Sequence, residues 1–192
     1  MQKIELEIIA LSHSVTQSNS YAVILGEVKG ARRLPIVIGG FEAQAIAVAL
    51  ENMHPSRPLT HDLMKNFMTA FDIQLQEVYI CDLQEGIFYS KLVCHTANDT
   101  IEIDSRTSDA LALAVRFGCP IYVYAPILDQ AGLANETGEK IAAPTIKNTS
   151  TTTSNLSNLS LQELNDLLAE VLEQEDYIRA IDIRDEINKR NV

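Results

Sequence analysis

Two short polar clusters, each just ahead of an apolar stretch, hold most of the ionisable chemistry of this 192-residue chain. The first is Arg57-Pro58-Leu59-Thr60-His61-Asp62, and the second is Asp104-Ser105-Arg106-Thr107-Ser108-Asp109. Both sit where a helix should begin. Helix N-termini carry unpaired N–H groups and partial positive charge, which suit carboxylates and phosphates. In the first cluster His61 can transfer protons or ligate a metal, with Asp62 as a second ligand. The plainer reading makes Thr60 an N-cap and Asp62 a complement to the helix dipole, together worth about 1 kcal/mol, and leaves His61 merely exposed. In the second cluster Asp104 and Asp109 can hold Mg²⁺ or Mn²⁺, both oxygen-seeking. Arg106 and Arg57 can grip phosphate oxygens bidentately. Phosphodiester hydrolysis needs that combination of charge stabilisation and an activated water. The alternative is a salt-bridge network joining a strand end to a helix start.

Other arrangements do not hold together. Glu27-Val28-Lys29 has the E-x-K half of a nuclease motif, but no suitable Asp precedes it and it falls in a hairpin turn. Ser108 lacks a G-x-S-x-G elbow, and there is neither a P-loop nor a G-x-G-x-x-G. Cys81, Cys94 and Cys119 show no C-x-x-C spacing and fit a reducing compartment. The formal net charge is −11, and no basic stripe runs along the chain. Any contact with nucleic acid should therefore be weak, metal-assisted or confined to a local arginine cluster. The chain has no apolar run of about eighteen residues, so no membrane span is expected. Its start lacks a signal-peptide layout, which points to the cytoplasm.

The elements that must position these clusters are legible. Ile4, Leu6 and Ile8 alternate with polar neighbours, and Tyr21–Leu25 and Arg32–Ile38 continue the strand pattern. Gly39-Gly40 breaks it ahead of a helix over Phe41–Met53, with Glu42 in the first turn. A second helix is predicted over Thr60–Phe71, with Leu63, Met64, Phe67, Met68 and Phe71 at three- and four-residue spacing. Strands follow at 73–82, 86–95 and 100–104, then a helix from about Ser108 to Phe117 closed by Gly118, and a strand at Pro120–Tyr124. Strands cluster instead of alternating with helices. The fold class is therefore α+β, a strand-rich mixed or antiparallel sheet with about three helices. The expected organisation is a domain at 1–131, a flexible linker at 132–157 and a two-helix hairpin at 158–192 opened by the capping box Ser160-Leu161-Gln162-Glu163. In the hairpin, Leu161, Leu164, Leu168 and Val171 mark one apolar face, Ile178, Ile181 and Ile187 another, with Gln174-Glu175-Asp176 as the turn. A hairpin that small needs something to pack against.

The order of three motifs is informative: Ile38-Gly39-Gly40-Phe41-Glu42-Ala43-Gln44-Ala45-Ile46-Ala47, then Arg57–Leu63, then Asp104-Ser105-Arg106-Thr107-Ser108-Asp109-Ala110-Leu111-Ala112-Leu113-Ala114. Together they resemble the bifunctional nuclease domain family over about residues 1–130. The resemblance implies DNase and RNase activity and points to Glu42, His61, Asp62, Asp104, Arg106, Ser108 and Asp109 as site residues. One departure is Thr107, where the family usually has proline. Proline at a first helical position only pre-organises the helix, so Thr107 should keep the helix start. Residues Glu175–Ile187, with Arg184-Asp185 and Ile187, resemble the UVR motif, a protein-interaction hairpin of excision-repair nuclease subunits and chaperone-associated adaptors. Ile178 stands where that motif usually has glutamate, and Ile181 where it usually has alanine.

The expectation is a metal-assisted nuclease acting on DNA or RNA, with a protein-docking hairpin on a tether. Glu42, Asp104 and Asp109 would hold metal or activate water, His61 would move protons, and Arg57 and Arg106 would bind phosphate, with Ser108 beside them. Mg²⁺ or Mn²⁺, a protein partner for 158–192 and a homodimer complete this expectation. The rival is a non-enzymatic adaptor or regulator whose polar clusters hold the fold or an oligomer interface together.

Overall fold

The computed structural model describes residues 2–13, 20–133, 156, 159–173 and 177–190. The chain divides into two compact units, Met1–Lys140 and Ile141–Val192. Residues 14–19, nearly all of the expected linker at 132–157 and the expected turn at 174–176 lie outside the described residues.

Among the described residues of the first unit there are seven strands: β1 (Lys3–His13), β2 (Ser20–Glu27), β3 (Arg33–Gly39), β4 (Gln74–Gln84), β5 (Ile87–His95), β6 (Thr100–Arg106) and β7 (Ile121–Tyr124). Their order across the sheet is β3-β2-β1-β7-β4-β5-β6. Every neighbouring pair is antiparallel except β4 and β7, which run parallel. The α+β expectation holds. Alternation set the faces of β3: Leu34, Ile36 and Ile38 are buried while Val37 between them is exposed. The register shifts within β1, between Ile8 and Ala10, and twice within β4. Such bulges bend a strand and increase its twist.

Among its described residues four helices complete this unit: α1 (Gly40–Leu50), α2 (Thr60–Ala70), α3 (Thr107–Phe117) and α4 (Ala125–Ala131). Three were expected; α4 was not. It carries Pro126 in its first turn, which is compatible with a helix start, and buries Ile127 and Leu128. The two central helices are apolar almost all round. Ala45–Val48 of α1 and Ala110–Ala114 of α3 are each buried as unbroken runs, so each helix is covered by the sheet on one side and by helical neighbours on the other. α3 closes where expected, on Gly118 in the left-handed conformation with φ 65°. α1 ends at Leu50, three residues earlier than its pattern predicted, with Glu51 as its C-cap.

α2 departs from its pattern. Only Met68 of its apolar stripe is buried, while Leu63, Met64, Phe67 and Phe71 are exposed. Periodicity identified the helix correctly but not what covers its face.

In the second unit, α5 (Leu161–Glu173) and α6 (Tyr177–Arg190) form the hairpin. The capping box is in place: Glu163 N–H donates to Ser160 Oγ at 3.2 Å, and Ser160 N–H donates to Glu163 Oε2 at 2.7 Å. Leu164, Val171, Ala180, Ile183 and Ile187 are buried, whereas Leu161 is exposed. The side chains of Ile178 and Ile181 lie outside the described residues, and Ala180 and Ile183 supply the buried positions of α6 ahead of Ile187.

Candidate functional site

Three helix starts bring the polar residues together. Gly39 occupies the N-cap position of α1 in extended conformation, and Glu42 follows in the first turn. The Glu42 carboxylate folds back over Gly39, where a Cβ would collide with it. At the second start, Leu59 is the N-cap residue and Thr60 is the first residue of α2. This corrects the cap reading of Thr60. The capping group is Asp62, whose Oδ2 accepts the Leu59 N–H at 2.9 Å. At the third, Arg106 is the N-cap residue of α3, and Thr107 takes the first helical position. Thr107 is buried; its Oγ1 donates to the Phe88 carbonyl at 3.0 Å and lies 2.7 Å from Ser90 Oγ. A buried hydroxyl pair thus fixes the start of α3.

Four of the predicted side chains form one continuous chain. His61 Nε2 lies 3.0 Å from Asp109 Oδ1. Arg106 grips Asp109 with two hydrogen bonds, Nε to Oδ2 at 2.7 Å and Nη2 to Oδ1 at 3.1 Å. Its Nη1 reaches Glu42 Oε1 at 2.9 Å. Burial pushes the Asp109 pKa up, but the Arg106 and His61 hydrogen bonds outweigh it and hold the carboxyl below its ordinary value. The same bond to Asp109 raises the Arg106 pKa.

A cleft of about 470 Å³ lies beside this chain. Its walls come from both edges of the sheet, Pro35–Gly39 of β3 on one side and Asp104–Arg106 of β6 with Ile87–Tyr89 of β5 on the other. Strands at opposite ends of the strand order share one cleft, so the sheet curls until its edges face each other. Glu42, Asp104, Arg106 and Ser108 all line it, and the N-termini of α1 and α3 open onto it.

The remaining predicted residues stand elsewhere. His61 and Asp109 are not among the lining residues; they connect to the cleft through Arg106. Arg57 is exposed on the loop before α2 and is not among the lining residues. Asp62 has both oxygens engaged, one by Leu59 N–H and the other by Arg116 Nε at 2.6 Å. Burial raises its pKa, and the Arg116 and Leu59 hydrogen bonds bring it below the ordinary value. Arg116 is the residue that sequence reasoning passed over, because an arginine in the last turn of a helix reads as an ordinary complement to the dipole.

Glu42, Asp104 and Asp109 set three carboxylates against the single guanidinium of Arg106. That leaves two negative charges in excess, which a phosphodiester would meet as repulsion. Among the described residues, however, no three His, Cys, Asp or Glu side chains converge as a metal cage. Glu42 and Asp104 are the carboxylates that line the cleft, and a divalent ion there would be held by one or both of them and by water.

A family model described as the bifunctional nuclease domain matches residues 23–136. An uncharacterized protein of Mycobacterium tuberculosis strain H37Rv is 46% identical over 115 residues, covering 60% of this chain and 68% of that protein. Bifunctional nuclease 2 of Oryza sativa subsp. japonica is 28% identical over 109 residues, covering 52% of this chain and 32% of the rice protein. Bifunctional nuclease 1 of Oryza sativa subsp. indica is 26% identical over 115 residues, 58% of this chain and 33% of its own length. The whole His61–Asp109–Arg106–Glu42 chain and the residues lining the cleft fall inside the matched region. With more than half of its residues matched by that model, the protein belongs to the bifunctional nuclease domain family.

Proposed function

We propose that the protein hydrolyses phosphodiester bonds of DNA or RNA in the cleft between the two sheet edges. The observation that carries this reading is Arg106. It lines a cleft onto which two helix N-termini open, and its largely exposed side chain is held there between Glu42 and Asp109, where a phosphate would compete with those carboxylates for the guanidinium. Arg106 binds the phosphate, with Ser108 and the first-turn N–H groups of α3 beside it. Glu42 and Asp104 are the carboxylates placed to orient a water or to hold Mg²⁺ or Mn²⁺, which would supply a cation for the transition-state charge. His61, with Nε2 at 3.0 Å from Asp109 Oδ1, is the group assigned to proton transfer. Asp109 is a further candidate ligand beside Arg106, whereas Asp62, expected as a metal ligand, has both oxygens committed to Leu59 and Arg116. Arg57 is placed to meet a longer substrate outside the cleft.

The docking half of the proposal rests on the hairpin of α5 and α6, a pair of helices with an acidic surplus and a UVR-like sequence over Glu175–Ile187. We assign it to a protein partner. The exposed stripe Leu63, Met64, Phe67 and Phe71 carries no charge, and a two-fold axis sets such a stripe against its own copy, so we assign it to a homodimer contact. Cys81, Cys94 and Cys119 are all free, which supports a cytoplasmic setting. Among the described residues no helix is long and apolar enough to cross a membrane.

The test is hydrolysis of single-stranded DNA and RNA with Mg²⁺ or Mn²⁺ and with chelator, comparing the wild type with an Asp104→Ala/His61→Ala double variant. Cleavage that needs the metal and disappears in the double variant is the expected result. Equal residual cleavage in both proteins would mark contamination and leave the adaptor reading. That reading is favoured by one observation: Arg106 is already engaged by two carboxylates.

A further inference from the structure

The start of α2 touches α3 at two points seven residues apart. His61 meets Asp109, and its chain neighbour Asp62 meets Arg116. Seven residues are two helical turns, so both contacts lie on one stripe of α3. The second contact is the more elaborate. The Arg116 side chain is 5% exposed. Its Nε bonds Asp62 at 2.6 Å, and its Nη1 bonds the carbonyls of Ala45 in α1 and Ala112 in α3, each at 2.9 Å. Its own carbonyl, at the end of α3, accepts a hydrogen bond from Lys65 of α2. One arginine therefore ties together the three helices whose first turns carry Glu42, His61 and Asp109.

Stability does not account for this arrangement well. A buried ion pair is often no more stabilising than apolar residues of the same volume, because two charges must leave water. Here the balance is poorer still, since Arg116 Nη2 is buried without a hydrogen-bond partner. What such a pair does supply is a fixed geometry. A rigid guanidinium with partners on three helices allows one placement of α2 relative to α3, and an apolar contact would allow several.

Resting on the functional reading of the His61–Asp109–Arg106–Glu42 chain, we propose that Arg116 is a positioning residue that acts through Asp62 to hold the His61 imidazole against Asp109. Asp62 then serves this clamp: one oxygen fixes the start of α2 at Leu59, and the other fixes α2 to α3. The clamp fixes the first turn of α2 against α3, and His61, in that same turn, is held where its ring meets Asp109.

The experiment uses the full chain and two variants, Arg116→Lys and the double substitution Asp62→Leu/Arg116→Met. The double variant replaces both charges with apolar side chains and so leaves no unpaired carboxylate in the interior. Cooperative thermal unfolding establishes that each variant is folded. The decisive readout is the long-range ¹H–¹⁵N spectrum of the histidine rings, with the distant His95 as internal control. In the wild type His61 should show one tautomer, protonated at Nε2 toward Asp109. In the folded double variant it should show two exchanging tautomers while His95 is unchanged, and Arg116→Lys should fall between. A folded double variant that keeps a single His61 tautomer overturns the proposal. Activity supplies a second, separable readout. If the wild type cleaves oligonucleotides, the double variant should lose at least about tenfold in kcat with little change in KM, as expected of a misplaced group. A wild type no more active than Asp104→Ala/His61→Ala defeats the nuclease reading alone, because the tautomer result does not depend on turnover.

Discussion

Arg106 is shared between two carboxylates from two different helices, while Asp62 is shared between a backbone amide and a second arginine. These two residues answer the question the sequence posed, whether the polar clusters are caps or a site. Asp62 is a cap, and Arg106 is the centre of an ion-pair network at the edge of the cleft. Asp62 does cap α2, but as the group that reaches back to the N-cap amide and not as a helper to Thr60. A cap position could be read from residue types, because capping is a local interaction over three residues. The pairings His61–Asp109 and Asp62–Arg116, across 48 and 54 residues, could not, because no local pattern encodes which distant helix arrives. The pH dependence of stability follows from the same contacts. Asp62 and Asp109 both have folded-state pKa values below their ordinary ones. Their stabilisation is therefore complete above the unfolded carboxylate value, about 3.9, and is lost as pH falls through the lower folded value. Urea midpoints measured from about pH 6 down to about pH 2 should fall in the acid limb for the wild type, and less steeply for Asp62→Asn, which has no carboxylate to protonate there. Parallel curves for the two proteins would show that Asp62 is not among the groups linked to acid unfolding.

At the scale of elements, the sequence announced nearly every helix and strand, and the exceptions have physical causes. α4 was missed because seven residues with a proline near the start do not establish a helical period. β6 runs two residues further than predicted, to Arg106, since its pairing with β5 continues through Ser105 and Arg106 where the sequence shows only a polar cluster. Within the described part of the hairpin, Leu164 and Ile187 are buried as their spacing required, yet Leu161 at the first turn of α5 is not. α2 is the most instructive case. Its spacing is that of a helix with one buried face, and four of the five residues on that face are exposed. An apolar period states that a face is to be covered without stating by what. On the homodimer reading, light scattering should give twice the mass of one chain for the wild type, and Phe67→Glu should give a monomer with unchanged helix content, because a charge at the centre of the stripe would be buried without a partner in the pair. A monomeric wild type at micromolar concentration would remove that reading and leave α2 open to a different protein.

At the scale of the molecule, the strand order was the part beyond sequence reasoning. β1 lies next to β7, contributed from more than a hundred residues later, and the edges that form the cleft are β3 and β6. Alternation reveals which side of a strand is buried, but pairing over such separations is decided by how all seven strands pack at once. The same view locates where the chain can be cut. The last described tie in the first unit is the bridge between Arg33 and Leu133, with hydrogen bonds of 2.9 and 2.7 Å, and it closes part of the outer edge of β3. A cut before Leu133 would expose that edge to pairing with other chains. The first compact unit ends at Lys140, and the second holds its own buried apolar residues. Removing residues 146–192 should therefore leave the first unit intact: one cooperative thermal transition, with a midpoint displaced by no more than about 4 °C, the shift expected when stability changes by less than about 1 kcal/mol. A broad or absent transition in the truncated protein would mean that the second unit contributes to the core of the first. A sharp transition together with undiminished cleavage would place all of the hydrolytic machinery in the first unit and leave the hairpin with recognition alone.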